Sequence, residues 1–175
     1  MVERSVLVRA AAFTGERQLR HGTRRTLVQV HTVANLALGK PVTASVPSGP
    51  VFVPARLTDG GTGNLDFFLG YPTMPDPIAV TIDLEEAMEI ARVVVHTYAY
   101  QDAYESYELW LSSDGEDWRR VADRLAKPAE PSAAVIHDFA PTEARYVRIL
   151  THGYKGQVFD SFSKLTEVQV FGAAR

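Results

Sequence analysis

The ten residues Ala55 to Asn64 read Ala-Arg-Leu-Thr-Asp-Gly-Gly-Thr-Gly-Asn, a composition suited to holding a hard cation. Three glycines let backbone carbonyls turn inward around a point that the one carboxylate, Asp59, can also reach. An Asp-Gly pair equally makes an ordinary tight turn, and the loop alone leaves both readings open. Catalysis finds less to work with. The histidines at His21, His31, His96, His137 and His152 show no His-Glu-x-x-His spacing, and neither a Gly-x-Ser-x-Gly elbow nor a phosphate loop occurs. The carboxylate pairs Glu85-Glu86 and Glu116-Asp117 could in principle hydrolyse a glycoside, but both sit in turn-like, solvated stretches. Asp160 and Ser161 share only their composition, with His152, with a nucleophilic triad. No catalytic residue is expected.

The elements that position this loop belong to a globular chain of 175 residues, 46% of them hydrophobic, enough to fill a core. No apolar run approaches the roughly 20 residues needed to span a bilayer, and the first residues lack the long apolar centre of a signal peptide. With no cysteine, disulfides, thiolate metal sites and cysteine nucleophiles are excluded together. The net charge of −3 hides an asymmetry. Residues 1–33 carry +4, from Arg4, Arg9, Arg17, Arg20, Arg24 and Arg25 against Glu3 and Glu16, and the remainder carries −7. An acidic main body does not suit a nucleic-acid surface, which needs clustered lysine and arginine.

Ser5 to Phe13 and Arg25 to His31 read as two strands joined by a polar loop, too few to bury a core of their own. Val-Arg-Ala-Ala-Ala-Phe-Thr-Gly-Glu in this stretch resembles the last strands of the small β-sandwich modules that follow catalytic domains in chitobiase-type glycoside hydrolases. Residues 1–33 are therefore expected to be a strand-rich extension, the tail of a preceding module, and 34–175 the main domain. In that domain Ala79 to Leu84 alternates, Ile90 to His96 is β-branched throughout, and Tyr107 to Leu111 alternates again. Trp118 to Val121, Ala134 to Phe139, Arg145 to Leu150 and Leu165 to Phe171 add further strands. Prolines at 72, 75 and 77 exclude a helix after the glycine loop. Short strands at this spacing without an amphipathic helix predict an all-β antiparallel sandwich.

Six landmarks in order carry a resemblance: Asn-Leu-Ala-Leu-Gly-Lys-Pro-Val-Thr-Ala-Ser from Asn35, Leu-Thr-Asp-Gly, Val-Thr-Ile-Asp-Leu, Ser-Ser-Asp-Gly-Glu-Asp-Trp, Ala-Arg-Tyr-Val-Arg-Ile and Thr-Glu-Val-Gln-Val-Phe-Gly. Over residues 35–172 the chain resembles the discoidin, or coagulation factor 5/8 type C, family, and within it the bacterial family 32 carbohydrate-binding modules. The resemblance implies an eight-stranded antiparallel jelly-roll β-sandwich of the galactose-binding type. It also implies a structural calcium ion held by carbonyls of Arg56, Gly61 and Asn64, the Asp59 side chain, and Thr166 with Glu167 from the far end. Asn64 departs from the family, which usually places threonine there.

Family members bind ligands in loops at one rim, matched here by Val46–Pro54, Leu65–Pro77, His96–Ser106 and His152–Lys164. Sugar recognition needs a flat apolar ring for the C–H face of a pyranose, with donors and acceptors around its edge. Phe159 or Phe162 could supply the platform, and Tyr100, Gln101, Asp102, Tyr104, His152, Tyr154 and Lys155 the edge. Several of these rings could equally be core, Phe162 and Tyr98 among them. Galactose-binding relatives usually carry an arginine a few residues before the Tyr-Glu-Leu strand, where this chain has Asp-Ala-Tyr-Glu (102–105). The resemblance thus implies a non-catalytic, calcium-stabilised module that brings a larger extracellular or cell-surface enzyme to a galactose-type or related glycan, with other modules of that chain as neighbours. The alternatives are a spacer, or adhesion to protein or lipid through Phe67-Phe68-Leu69. An acidic body without cysteine speaks against lipid.

Overall fold

Val80, Ile82 and Leu84 alternate with polar neighbours, which commits their segment to a strand with one buried face, and none is more than 1% exposed. The computed structural model describes residues 6–10, 13–14, 17–18, 24–28, 34–46, 53–62, 68–69, 77–98, 103–128, 133–156 and 163–173. The chain forms two units, residues 1–34 with Arg175, and residues 35–174. In the first, β1 (Val6–Ala10) pairs antiparallel with β4 (Arg24–Val28), and β2 (Phe13–Thr14) pairs with β3 (Arg17–Gln18).

The second unit contains β5 (Val42–Ala44), β6 (Phe68–Leu69), β7 (Ile78–Thr97), β8 (Tyr104–Ser112), β9 (Arg119–Arg124), β10 (Ala134–Lys155) and β11 (Lys164–Gly172). All pairings are antiparallel, in the order β6-β11-β7-β10-β8-β9, with β5 joining β7. Two long strands make this sheet a sandwich. The first half of β7 pairs with the second half of β10, Ile82 opposite Val147, and its second half pairs with the first half of β10, Val94 opposite Ile136. Between the halves Glu85 takes a positive φ of 72° and the register shifts at Asp138/Thr142 and Ala144/Tyr146. The strands β5, β8 and β9 extend one layer, and β6 and β11 the other. Across the interior the Tyr107 hydroxyl lies 2.7 Å from Nε2 of His137.

The core is filled from both layers by Val80, Ile82 and Leu84, by Val93 and Val95, by Leu109 and Leu111, by Val147 and Ile149, and by Val168 and Val170. Each such side chain contributes on the order of 1.5–3 kcal/mol by leaving water. The all-β antiparallel sandwich expected from the sequence is the architecture found, and among the described residues the one helical segment is the 3₁₀ turn Pro54–Thr58. Two expectations of boundary are corrected. Ala79–Leu84 and Ile90–His96 are parts of one strand, β7, and Ala134–Phe139 and Arg145–Leu150 are parts of β10. The chain bends there without leaving the sheet, and Pro141 lies within the unpaired step of β10, where its missing N–H costs no ladder bond.

Candidate functional site

The glycine loop is placed by the turn before it. Pro54 opens the 3₁₀ turn with its φ already fixed, and Leu57, fully buried, pins it to the core. The Thr58 hydroxyl donates to the Lys40 carbonyl at 2.8 Å and Gly39 N–H donates to the Thr58 carbonyl at 2.6 Å. Asp59 to Gly61 thereby meet the start of β11. Gly60, at φ +87°, donates its N–H to Oε1 of Glu167 at 3.2 Å, and Gly61 N–H donates to Oδ1 of Asp59 at 2.7 Å. A Cβ on Gly61 would stand 2.8 Å from that Asp59 oxygen.

Glu167 is fully buried, yet its second carboxylate oxygen, Oε2, has no hydrogen-bond partner. Burial pushes its carboxyl up to about 8, and the charge of Asp59 adds to the shift. A buried carboxylate facing another acid is costly unless a cation or donor meets it. Two carboxylates beside a glycine loop rich in carbonyls fit a hard, oxygen-ligated divalent cation. Thr166 is buried next to Glu167, Arg56 is half-buried in the 3₁₀ turn, and Gly61 is exposed. Asn64 lies outside the described residues. Among those residues no group of three or more His, Cys, Asp and Glu forms, so carbonyls must complete any such shell.

Of the expected rim residues, strand pairing brings Tyr104 and Lys155 together at one end. Lys155 stands opposite Tyr104, Leu165 opposite Thr97, and Tyr98 N–H donates to the Lys164 carbonyl at 2.9 Å. Tyr104 and Lys155 are half-buried there. His152, also half-buried, is turned to the outer face of the sheet, with Nε2 3.2 Å from Oε1 of Glu108. Tyr154 corrects the sequence expectation. It is fully buried, its ring centroid 4.2 Å from the Lys164 ammonium and 6.3 Å from the ring of Tyr98, so it supports the rim from below and offers a ligand no face. Tyr100, Gln101, Asp102, Phe159 and Phe162 lie outside the described residues, as do Phe67 and the side chains of Phe68 and Leu69.

Beneath this end sits a group that the sequence did not single out. Glu105, fully buried, accepts hydrogen bonds from the Thr151 hydroxyl at 2.5 Å, the Ser163 hydroxyl at 2.7 Å and the Lys164 N–H at 2.9 Å. Burial raises its pKa and the three donors oppose the rise. The same burial lowers that of Lys164, against the pull of Glu105. Its position in Tyr-Glu-Ser-Tyr, inside a strand, was the available signal: an acid there is buried and bonded, or it faces solvent. Together these residues make a fixed floor of two tyrosines, a lysine and a bonded carboxylate, on which an aromatic, polar loop surface can be held.

Residues 41–165 match the family model described as the F5/8 type C domain. Among solved structures, chitosan-binding module 1 of a chitosanase/glucanase from Paenibacillus sp. IK-5 is 24% identical, with a TM-score of 0.65 over 79% of this chain and 99% of that one. The CBM32 of AlyQ, in complex with 4,5-unsaturated mannuronic acid, is 24% identical with a TM-score of 0.62 over 76% and 95%. CpGH89CBM32-5 from Clostridium perfringens, in complex with GalNAc-β-1,3-galactose, is 20% identical with a TM-score of 0.64 over 79% and 100%. At these identities the likeness is one of fold. No curated protein matches the chain.

Proposed function

This chain belongs to the F5/8 type C domain family, and from that membership we propose that it is a non-catalytic carbohydrate-binding module that holds a larger secreted or surface enzyme against glycan. The observation that carries the reading is the loop end, where the register sets Lys155 opposite Tyr104 and Tyr154 opposite Glu105, next to the packed Tyr98 and Lys164. A floor ordered before the ligand arrives lowers the cost of binding a weak, shallow ligand such as a sugar. In this reading Phe159 or Phe162 supplies the stacking platform, and Tyr100, Asp102, Tyr104 and Lys155 supply the hydrogen-bonding edge. Similar folds holding an unsaturated mannuronic acid or GalNAc-β-1,3-galactose support a glycan as the ligand class.

The calcium ion is part of the same proposal. Asp59 and Glu167 supply its charge and Arg56, Gly61, Asn64 and Thr166 further oxygens, so that the ion ties the turn of Pro54–Thr58 to β11. The orphaned Oε2 of Glu167 supports this. Calcium there stiffens the end of the sandwich from which the binding loops leave. A glycan array probed with the purified chain, in millimolar calcium and again with chelator, tests the proposal.

A further inference from the structure

Alternation in β8 sends Tyr107, Leu109 and Leu111 into the core and leaves Glu108 and Trp110 on the outer face. In β10 Val147 and Ile149 are buried, with Arg148 and Leu150 on that same outer face, and the register sets Trp110 opposite Arg148 and Glu108 opposite Leu150. The turn after β8 brings Trp118 alongside. These four residues, Trp110, Trp118, Arg148 and Leu150, line a hollow of about 200 Å³. Trp110 lies six residues up β8 from Tyr104, about 20 Å away from the loop end at the rise of a strand.

Three features give the hollow a chemistry. Its walls are fixed: Trp118 Nε1 donates to the Gly115 carbonyl at 3.0 Å, and Trp110 Nε1 donates to Oε2 of Glu108 at 3.0 Å. It offers indole and leucine surface of the kind that receives the C–H face of a sugar ring. It also holds a cation without an anion. The Arg148 guanidinium lies 3.6 Å over the Trp118 ring, and its Nε donates to Oγ1 of Thr81 at 3.1 Å. Its terminal nitrogens meet no carboxylate among the described residues, whereas Arg92, Arg120 and Arg145 each pair with an aspartate or glutamate. A guanidinium stays charged when half-buried and is shaped for a carboxylate or sulfate.

We propose that this hollow is a second binding site, separate from the loop end, which takes one anionic pyranose of an acidic glycan, the ring on Trp110 and Leu150 and the anion on Arg148. The volume suits one ring and is below that of a pocket for a drug-sized ligand. The anion is a uronate carboxylate or a sugar sulfate, which present the same charge to the guanidinium.

The test uses the whole chain and its intrinsic fluorescence, because both of its tryptophans line the hollow. The titrants are digalacturonate, galactose 6-sulfate and the neutral parents of each. A saturable change in tryptophan emission with digalacturonate, with galactose 6-sulfate or with both, absent with the neutral sugars, is the expected result and identifies which anion is preferred. Arg148→Gln weakens that response about tenfold or more, the worth of a charge-assisted hydrogen bond. Arg148→Lys, which keeps the charge and loses the fork, gives an intermediate affinity and serves if the glutamine variant does not fold. The response persists in Lys155→Ala, which distinguishes it from binding at the loop end. No change with either anionic sugar at millimolar concentration, or affinity unaltered by both Arg148 variants, overturns the proposal.

Discussion

The carboxylate of Glu105 accepts a hydrogen bond from the Ser163 hydroxyl at 2.7 Å, joining the start of β8 to the residue before β11, 58 positions later in the chain. Thr151, in β10, and the Lys164 N–H share the same acid. One buried side chain therefore fixes the relative positions of three strands just below the loop end. Glu105→Ala leaves those three donors without their acceptor, at about 1–3 kcal/mol for each that stays buried and unpaired. The expected outcome is a melting temperature lowered by several degrees and faster hydrogen exchange at the Lys164 amide, with Glu105→Gln intermediate. An alanine variant that melts with the wild type would show the network to be ornamental.

Tyr154→Ala removes a ring with no solvent exposure that packs against Tyr98 and the Lys164 ammonium. The cost of such a truncation is about 3–5 kcal/mol. Thermal unfolding should reveal it directly, and any loss of sugar binding in this variant will accompany the loss of stability.

Lys155→Ala, by contrast, changes a half-exposed residue at the end of β10. Unfolding is expected to shift by no more than about 0.5 kcal/mol, as for ordinary surface substitutions. Affinity for the glycan falls, and parallel calorimetric titrations of variant and wild type measure by how much.

Calcium should change how stability depends on pH. Without the ion the folded-state pKa of Glu167 stands at about 8 against 4.5 for the free side chain. The folded state then binds the proton more tightly than the unfolded state, so stability is highest below about pH 4.5 and is lost as pH rises towards 8. A bound divalent cation pairs with the ionised form and cancels that loss. Melting curves from pH 5 to 8 are expected to fall with chelator and to hold in millimolar calcium, the gap widening with pH. The raised pKa of Glu105 and the lowered ones of His96 and His137 act in both conditions and drop out of the difference. Curves that superimpose with and without calcium would discard the ion.

Arg145 holds Asp83 by two parallel bonds, Nε to Oδ1 at 2.7 Å and the second nitrogen to Oδ2 at 2.8 Å, beside the bend shared by β7 and β10. The guanidinium keeps the aspartate pKa below its usual value of 3.8. A depressed folded-state pKa adds stability above about pH 3.8 that is lost as pH falls through the folded value. Asp83→Asn should lower the melting temperature slightly at pH 7, where solvent screens the pair, and the two proteins should converge in acid.

Much of the fold was legible because β-strands write their burial in a period of two. Val80, Ile82 and Leu84, or Leu109 and Leu111, mark a core face with no knowledge of their partners. What alternation does not record is where a strand bends and continues. Residues 85–89 and 140–144, which the sequence leaves between separate strands, both lie inside long ones.

Tyr154 was misjudged for a related reason. Gly153, at φ +84°, and the register shift between Thr151 and Tyr154 interrupt the alternation, so that Thr151, Gly153 and Tyr154 are all buried. A turn residue followed by an aromatic looks like a loop tip until the pairing with β8 is known. Trp110 is the opposite case. Its outward position follows from the alternation of its neighbours, but only the register with β10 brings it to Arg148. The acids Asp59 and Glu167 lie more than a hundred residues apart, and no local pattern links them except through the family resemblance.

Whether this chain is a sugar-binding module is decided by its binding of defined glycans, measured on an array in millimolar calcium and repeated with chelator and with Phe159→Ala. The expected result is selective binding to a small set of related sugars, weakened by chelator and abolished by the Phe159 variant while its melting temperature is kept. A folded, calcium-loaded protein that binds no sugar on the array would contradict it.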